Sequence, residues 1–236
     1  MKFKVLFALL SLPLLFTSCI FSPTIKGNGN VTTKERELDQ FDEIKASRGI
    51  NLYLTQGESK ALVIEADENL IEVIETEVVG HELIIRSTAN VKNAKSFKVF
   101  VTAPKFEAIK GVAGCNIYSE NEISADELEL RASAGSNIKL EINAATVDAA
   151  SSAGSNIKLE GLAEDFYGRA SSGSNIKAED LKTKNAEAKV SSGANIWISA
   201  DKRLEANANS GGNIFYAGDP KETDFHKSSG GNVIKM

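Results

Sequence analysis

From about residue 111 onward, apolar and polar positions alternate in short bursts and never adopt a helical period. Counting back seven, five and three places from a recurring glycine gives Leu128, Leu130 and Ala132, then Val147, Ala149 and Ser151. The same count gives Phe166, Gly168 and Ala170, then Ala186, Ala188 and Val190, then Leu204, Ala206 and Ala208. The residues between them are mostly charged, as with Glu129 and Arg131 or Glu187 and Lys189. A period of two sends one set inward and the other to solvent, which is the signature of a strand. After the glycine the alternation resumes as Ile138-Lys139-Leu140-Glu141, Ile157-Lys158-Leu159-Glu160 and Ile176-Lys177-Ala178-Glu179. Glu141, Glu160 and Glu179 thus read as acids stacked in line, each two places after a lysine, on a charge-compensated, solvated face.

Between the two halves lies one template, Gly-small-Asn-Ile, in seven copies. Its asparagines are Asn116, Asn137, Asn156, Asn175, Asn195, Asn213 and Asn232, separated by 21, 19, 19, 20, 18 and 19 residues. A period near 19 predicts a solenoid. Strands joined by glycine bends, with each coil stacking on the last at ~4.8 Å, predict a right-handed parallel β-helix. An earlier copy, Gly49-Ile-Asn51-Leu52, predicts a first coil near 42–54. Backbone groups at a bend leave the sheet and need other partners. The asparagines are therefore expected to form a structural ladder along the axis, tolerating unusual backbone angles and bonding coil to coil. The neighbouring serine pairs are expected to pack tightly at the same bend.

The N-terminal part differs. Residues 31–110 read as strand-rich, with 61–66, 82–87 and 97–103 the clearest strands and a short helical turn followed by a strand within 67–79. The β-helix proper is assigned to 111–236. At the start, Lys2 and Lys4 precede an apolar run from Val5 to Phe16 that is too short to span a bilayer. Thr17 and Ser18 then precede Cys19, so residues 1–18 read as a lipoprotein signal peptide and Cys19 as the lipid-attachment site, the contact with the membrane. Residues 19–30 read as a tether, because Pro23, Gly27 and Gly29 discourage regular structure. The expected location is the cell envelope, lipid-anchored to the outer membrane.

With 27 basic and 32 acidic residues the net charge is −5, which disfavours nucleic acid as a partner. Two histidines and two cysteines leave little for a metal site or a disulfide scaffold. Neither a cofactor nor a metal is expected. No Gly-x-Ser-x-Gly, Cys-x-x-Cys or His-Glu-x-x-His motif occurs. His81 and His226 read as exposed, and Cys115, in a place held elsewhere by Ser, Ala or Gly, reads as a packed small residue. One outward feature exceeds background. The position after the repeat isoleucine is Lys139, Lys158 and Lys177 in consecutive coils, then Trp197, Phe215 and Ile234, with Tyr118 at the same position in an earlier coil. Trp197, Phe215, Tyr118 and Ile234 form the candidate binding stripe, suited to stacking on sugar rings or to a partner protein.

The leader, the Gly-Asn-Gly-Asn-Val opening, the block Phe41-Asp-Glu-Ile-Lys-Ala-Ser-Arg-Gly-Ile-Asn-Leu and the Gly-x-Asn-Ile repeats together resemble the GIN head domain of auto-transporter adhesins found in Bacteroidetes. The resemblance implies a right-handed β-helix with an N-terminal strand-rich part on a secreted or lipid-anchored protein, and it brings no catalytic residues. The expected function is a non-enzymatic cell-envelope adhesin, binding glycan or host/matrix protein. The alternative is a polysaccharide lyase or hydrolase on the same scaffold, which requires three or more carboxylates converging in one groove.

Overall fold

The computed structural model describes residues 23–236, so the leader and Cys19 lie outside the described residues. No helix among the described residues is long and apolar enough to cross a membrane. The chain winds into a parallel β-solenoid of about seven turns at ~19-residue spacing. Two columns of parallel strands flank the glycine bend. Before it, Ala108–Val112, Ile123–Ser133, Asn137–Ser151, Asn156–Ala170 and Asn175–Val190 pair through their C-terminal halves, followed by Arg203–Ala208 and Glu222–Lys227. After it, Asn116–Ser119, the starts of the three long strands, Asn195–Ser199, Asn213–Ala217 and Asn232–Lys235 pair in turn. The long strands stay hydrogen-bonded around the corner, so 142–144, 161–163 and 181–183 form a third face.

The inward positions are those of the period-two pattern. Ile117, Ile138, Ile157, Ile176, Ile196 and Ile214 stack in one fully buried column. The only large ring at its level in the neighbouring column is Phe166, which takes the place of Val147 and Ala186 in the adjacent coils. A Cβ on Gly168 would stand 2.7 Å from that ring, so the glycine two residues on makes the space that the ring fills.

At each bend two successive residues have positive φ, as at Ala153 (50°) and Gly154 (72°) or Ser172 (54°) and Gly173 (68°). The Ser155 and Ser174 N–H groups close these turns onto the Ser152 and Ser171 carbonyls at 3.2 and 3.3 Å. That is type I′ geometry. The repeat asparagines are therefore not the residues with unusual backbone. They open the next strand, and the left-handed positions belong to the glycine and the Ala or Ser before it. The serine pairs are likewise not uniformly packed. Ser171 and Ser191 are half-buried, while Ser172 and Ser192 sit at the exposed turn tip. The packed hydroxyls are the small residues after the glycine. Ser136, Ser155 and Ser174 are buried and donate to the Gly111, Ala132 and Ser151 carbonyls of the preceding coil at 2.7–2.8 Å. Cys115 fills the same slot, its thiol 3.3 Å from the Ala46 carbonyl. Burial pushes its pKa up to about 11, so the thiol stays protonated and inert.

The N-terminal region both contributes to the stack and closes it. Glu43–Ser47 and Asn51–Gln56 form a coil, which pairs in parallel with Ala108–Val112 and Asn116–Ser119 on one side. On its other side lie Glu82–Ser87 and Phe97–Ala103, later in sequence yet earlier in the stack. Their outer edges are covered by antiparallel strands, Ile74–Val79 on the first and Leu62–Asp67 then Val31–Arg36 on the second. A solenoid end left bare would offer free sheet edges, and these strands occupy them. The 3-10 helix Glu68–Val73 precedes Ile74–Val79, as the sequence pattern indicates.

The segment read as a tether carries structure. Thr24–Lys26 is a strand parallel to Asn90–Lys92. Gly27 serves a close approach rather than slack, since a Cβ there would lie 2.2 Å from Asp67 Oδ2, and Gly29 adopts a positive φ of 79°. Buried Asp67 accepts N–H bonds from Gly29 at 2.8 Å and from Lys95 and Ser96 at 3.0 Å. Burial pushes against its charge, but the three backbone donors prevail and its carboxyl pKa falls below the usual aspartate value. The start of the described chain is thus fastened to the capped end.

Candidate adhesive face

The repeat asparagines line one edge of the face that follows the bend. Asn116 Nδ2 donates to Asn51 Oδ1 at 2.9 Å, Asn137 to Asn116 at 2.9 Å, Asn156 to Asn137 at 2.9 Å and Asn175 to Asn156 at 2.9 Å. The row continues from Asn195 to Asn175 at 3.0 Å, Asn213 to Asn195 at 2.9 Å and Asn232 to Asn213 at 2.9 Å. At the capped end Asn51 Nδ2 donates to the Phe97 carbonyl at 3.1 Å. From Asn51 to Asn213 each amide uses one donor and one acceptor in this row, while Asn232 at the end only donates, to Asn213 and to the Gly230 carbonyl at 3.3 Å. The amides from Asn116 to Asn213 each keep a second N–H that this row does not use.

Two residues on, outward side chains form a single column running through Phe100, Tyr53, Tyr118, Lys139, Lys158, Lys177, Trp197, Phe215 and Ile234, each paired with the next. Trp197 and Phe215 stack with centroids 5.1 Å apart and planes 12° from parallel. Ile234 extends this pole and is 44% exposed. Tyr118 does not join it. Three lysine coils intervene, and Tyr118 stacks instead on Tyr53 at 5.3 Å, which stacks on Phe100 at 5.0 Å. The candidate stripe is therefore two aromatic stacks at opposite ends of one column. Strand spacing of ~4.8 Å falls within the range of favourable ring offsets, so aromatics on adjacent coils stack without distortion. Tyr53 was legible through the Asn51 copy of the template, but Phe100 was not, because Lys98-Val99-Phe100 lacks the Gly-x-Asn-Ile signature.

The lysines between are sparsely paired. Lys158 lies 3.7 Å from Asp180, Lys177 stands 5.7 Å from the Trp197 ring centroid, and Lys139 is exposed with no carboxylate within 4 Å among the described residues. The acidic column beside them is not the straight file expected. Glu141 pairs with Glu160, but Glu160 then pairs with Asp180, because the next coil holds an extra residue. Glu179 sits in that bulge, and its Oε2 is buried without a hydrogen-bond partner. The 20-residue step from Asn175 to Asn195 was the signal for it.

Carboxylates also gather on the face before the bend, where Glu43, Glu107, Asp126, Glu127, Glu129 and Asp148 line a groove of about 700 Å³. Most are engaged. Glu43 meets Lys110 at 2.6 Å, Glu107 pairs with Lys105, Glu129 meets Arg131 at 3.1 Å, and Asp148 meets Arg131 at 3.0 Å and Arg169 at 2.8 Å. A carboxylate fixed against a cation is a poor proton donor. Elsewhere, the Ser96 hydroxyl and Lys98 lower the carboxyl pKa of Glu65, and the lysine partners Lys34 and Lys184 lower those of Glu72 and Glu164. His81 and His226 are exposed, near Asp42 and Asp224.

Three crystal structures share this architecture. An adhesin from Bacteroides fragilis, called "putative", superposes with a TM-score of 0.84 at 23% identity over 90% of this chain and 100% of its own. A "putative adhesin" from Parabacteroides merdae gives 0.72 at 21% over 91% and 99%. A "putative lipid binding protein" from Parabacteroides distasonis gives 0.73 at 21% over 90% and 99%. No curated protein matches the chain. At the level of sequence families, residues 40–220 match the one described as "putative auto-transporter adhesin, head GIN domain". That span includes most of the cap, the asparagine row from Asn51 to Asn213 and both aromatic stacks, and the chain belongs to this family of adhesin head domains.

Proposed function

We propose that this chain is a non-enzymatic adhesin-like module of the bacterial cell envelope, lipid-anchored through Cys19, with the Trp197–Phe215 pole as its contact surface for glycan. The observation that carries the reading is the pair of parallel rings on an outward column, half-exposed and backed by a rigid stack of strands. Aromatic platforms present large, stiff, amphipathic area at low entropic cost, and tryptophan is enriched at binding hot spots. An anchor at Cys19 fits this reading. The described chain begins at the capped end, so a lipid just before it leaves the Trp197 pole at the far end of the solenoid. Family membership supports the adhesive role. Four of the six carboxylates in the groove before the bend are held in ion pairs, which argues against a lyase or hydrolase there.

The test is a panel of glycans and matrix proteins probed with the purified protein and with Trp197→Ala. The substitution is expected to weaken glycan binding about tenfold or more while leaving the melting temperature nearly unchanged. Unchanged binding by the variant would remove this pole as the site.

A further inference from the structure

We infer that the ligand is an acidic polysaccharide laid along the solenoid axis, engaging both aromatic stacks and the three lysines between them. This rests on the adhesive reading above and specifies its ligand. The two stacks occupy one column, and four coil steps separate Tyr118 from Trp197, about 19 Å. Only an extended chain of several sugar rings reaches both. A pyranose ring in such a chain is about as long as the coil spacing, so successive rings meet successive coils.

The charge pattern selects the acidic class and the direction. Lys139 and Lys177 lack a carboxylate within ion-pairing distance among the described residues, and Lys158 has only a loose contact. Three ammonium groups on neighbouring coils repel one another, and an anionic group placed over them relieves that repulsion. Glu141 and Glu160 stand in the next column on one side, while the asparagine amides with spare N–H donors stand on the other. A polyanion crossing the face obliquely meets those carboxylates. One running along the lysine column avoids them and faces the amides. With an overall charge of −5, attraction for a polyanion has to come from a local cluster, and this row supplies three lysines with one loose ion pair among them.

Size-fractionated oligogalacturonate, hyaluronate and heparin fragments, with neutral cello- and xylo-oligosaccharides as controls, would be titrated into the full chain at low and high salt. Affinity for the acidic series is expected to climb with length until both stacks are spanned, and to fall as salt rises. The triple variant Lys139→Gln, Lys158→Gln, Lys177→Gln is expected to lose about tenfold in affinity for acidic fragments at low salt. Tyr118→Ala is expected to weaken long fragments and spare short ones. Equal binding of neutral oligosaccharides, lost in Trp197→Ala but untouched by the lysine variant, would overturn the acidic axial ligand and leave the stacking pole standing. Binding only of matrix proteins, or no glycan binding at all, would overturn both.

Discussion

Phe166→Ala is expected to cost about 3–5 kcal/mol of folding free energy. The ring is buried to within 1% and lies between coils that carry only Val147 and Ala186 at its level, so neighbours have little bulk with which to refill the space. Gly168→Ala is expected to cost about 1–3 kcal/mol by the opposite route, forcing a Cβ against the ring. The two effects share one volume. Combining Gly168→Ala with Phe166→Leu should therefore cost clearly less than the sum of the separate changes. Denaturant midpoints for the three variants check this. Strict additivity would mean the ring and the glycine do not define the same space.

The asparagine row should carry the second large effect. Asn156 donates to Asn137 and accepts from Asn175, so Asn156→Ala removes two bonds and strands a polar atom on each neighbour. The expected loss is about 1–3 kcal/mol. Asn232, exposed at the last coil and bonded to only one asparagine, should tolerate alanine with little change. Lys158→Ala, one column away, should also cost little, its one ion pair being exposed and long. Melting curves that rank the three variants alike would deny the row any part in coupling coils.

The parts of the fold that repeat were readable from residue order, because each coil meets the same local demands. The small residue, the asparagine and the isoleucine recur where packing leaves one solution, and period two follows from the sheet. What does not repeat was hidden. Residues 82–103 slip beneath 43–56 in the stack, a pairing across some forty residues that carries no Gly-x-Asn-Ile mark. Phe100 was lost with it, and so was one of the three rings of the second aromatic stack. The strand Thr24–Lys26 was missed because Gly27 and Gly29 look like linker composition. Their role shows only once Asp67 is seen drawing that backbone in. Trp197 and Phe215, by contrast, were placed together by the repeat alone, since residues one period apart on an outward position must be neighbours.

Whether the Trp197 pole is an open contact surface can be read from the emission of Trp197 itself, the only tryptophan in the chain. With one ring face on Phe215 and the Lys177 ammonium nearby, the indole should emit as a partly exposed group and be quenched by iodide. A bound glycan should shift the emission to the blue and shield it from the quencher. Saturating glycan that leaves both emission and quenching unchanged would rule out this pole as the contact surface, because the ligand would then be held somewhere else.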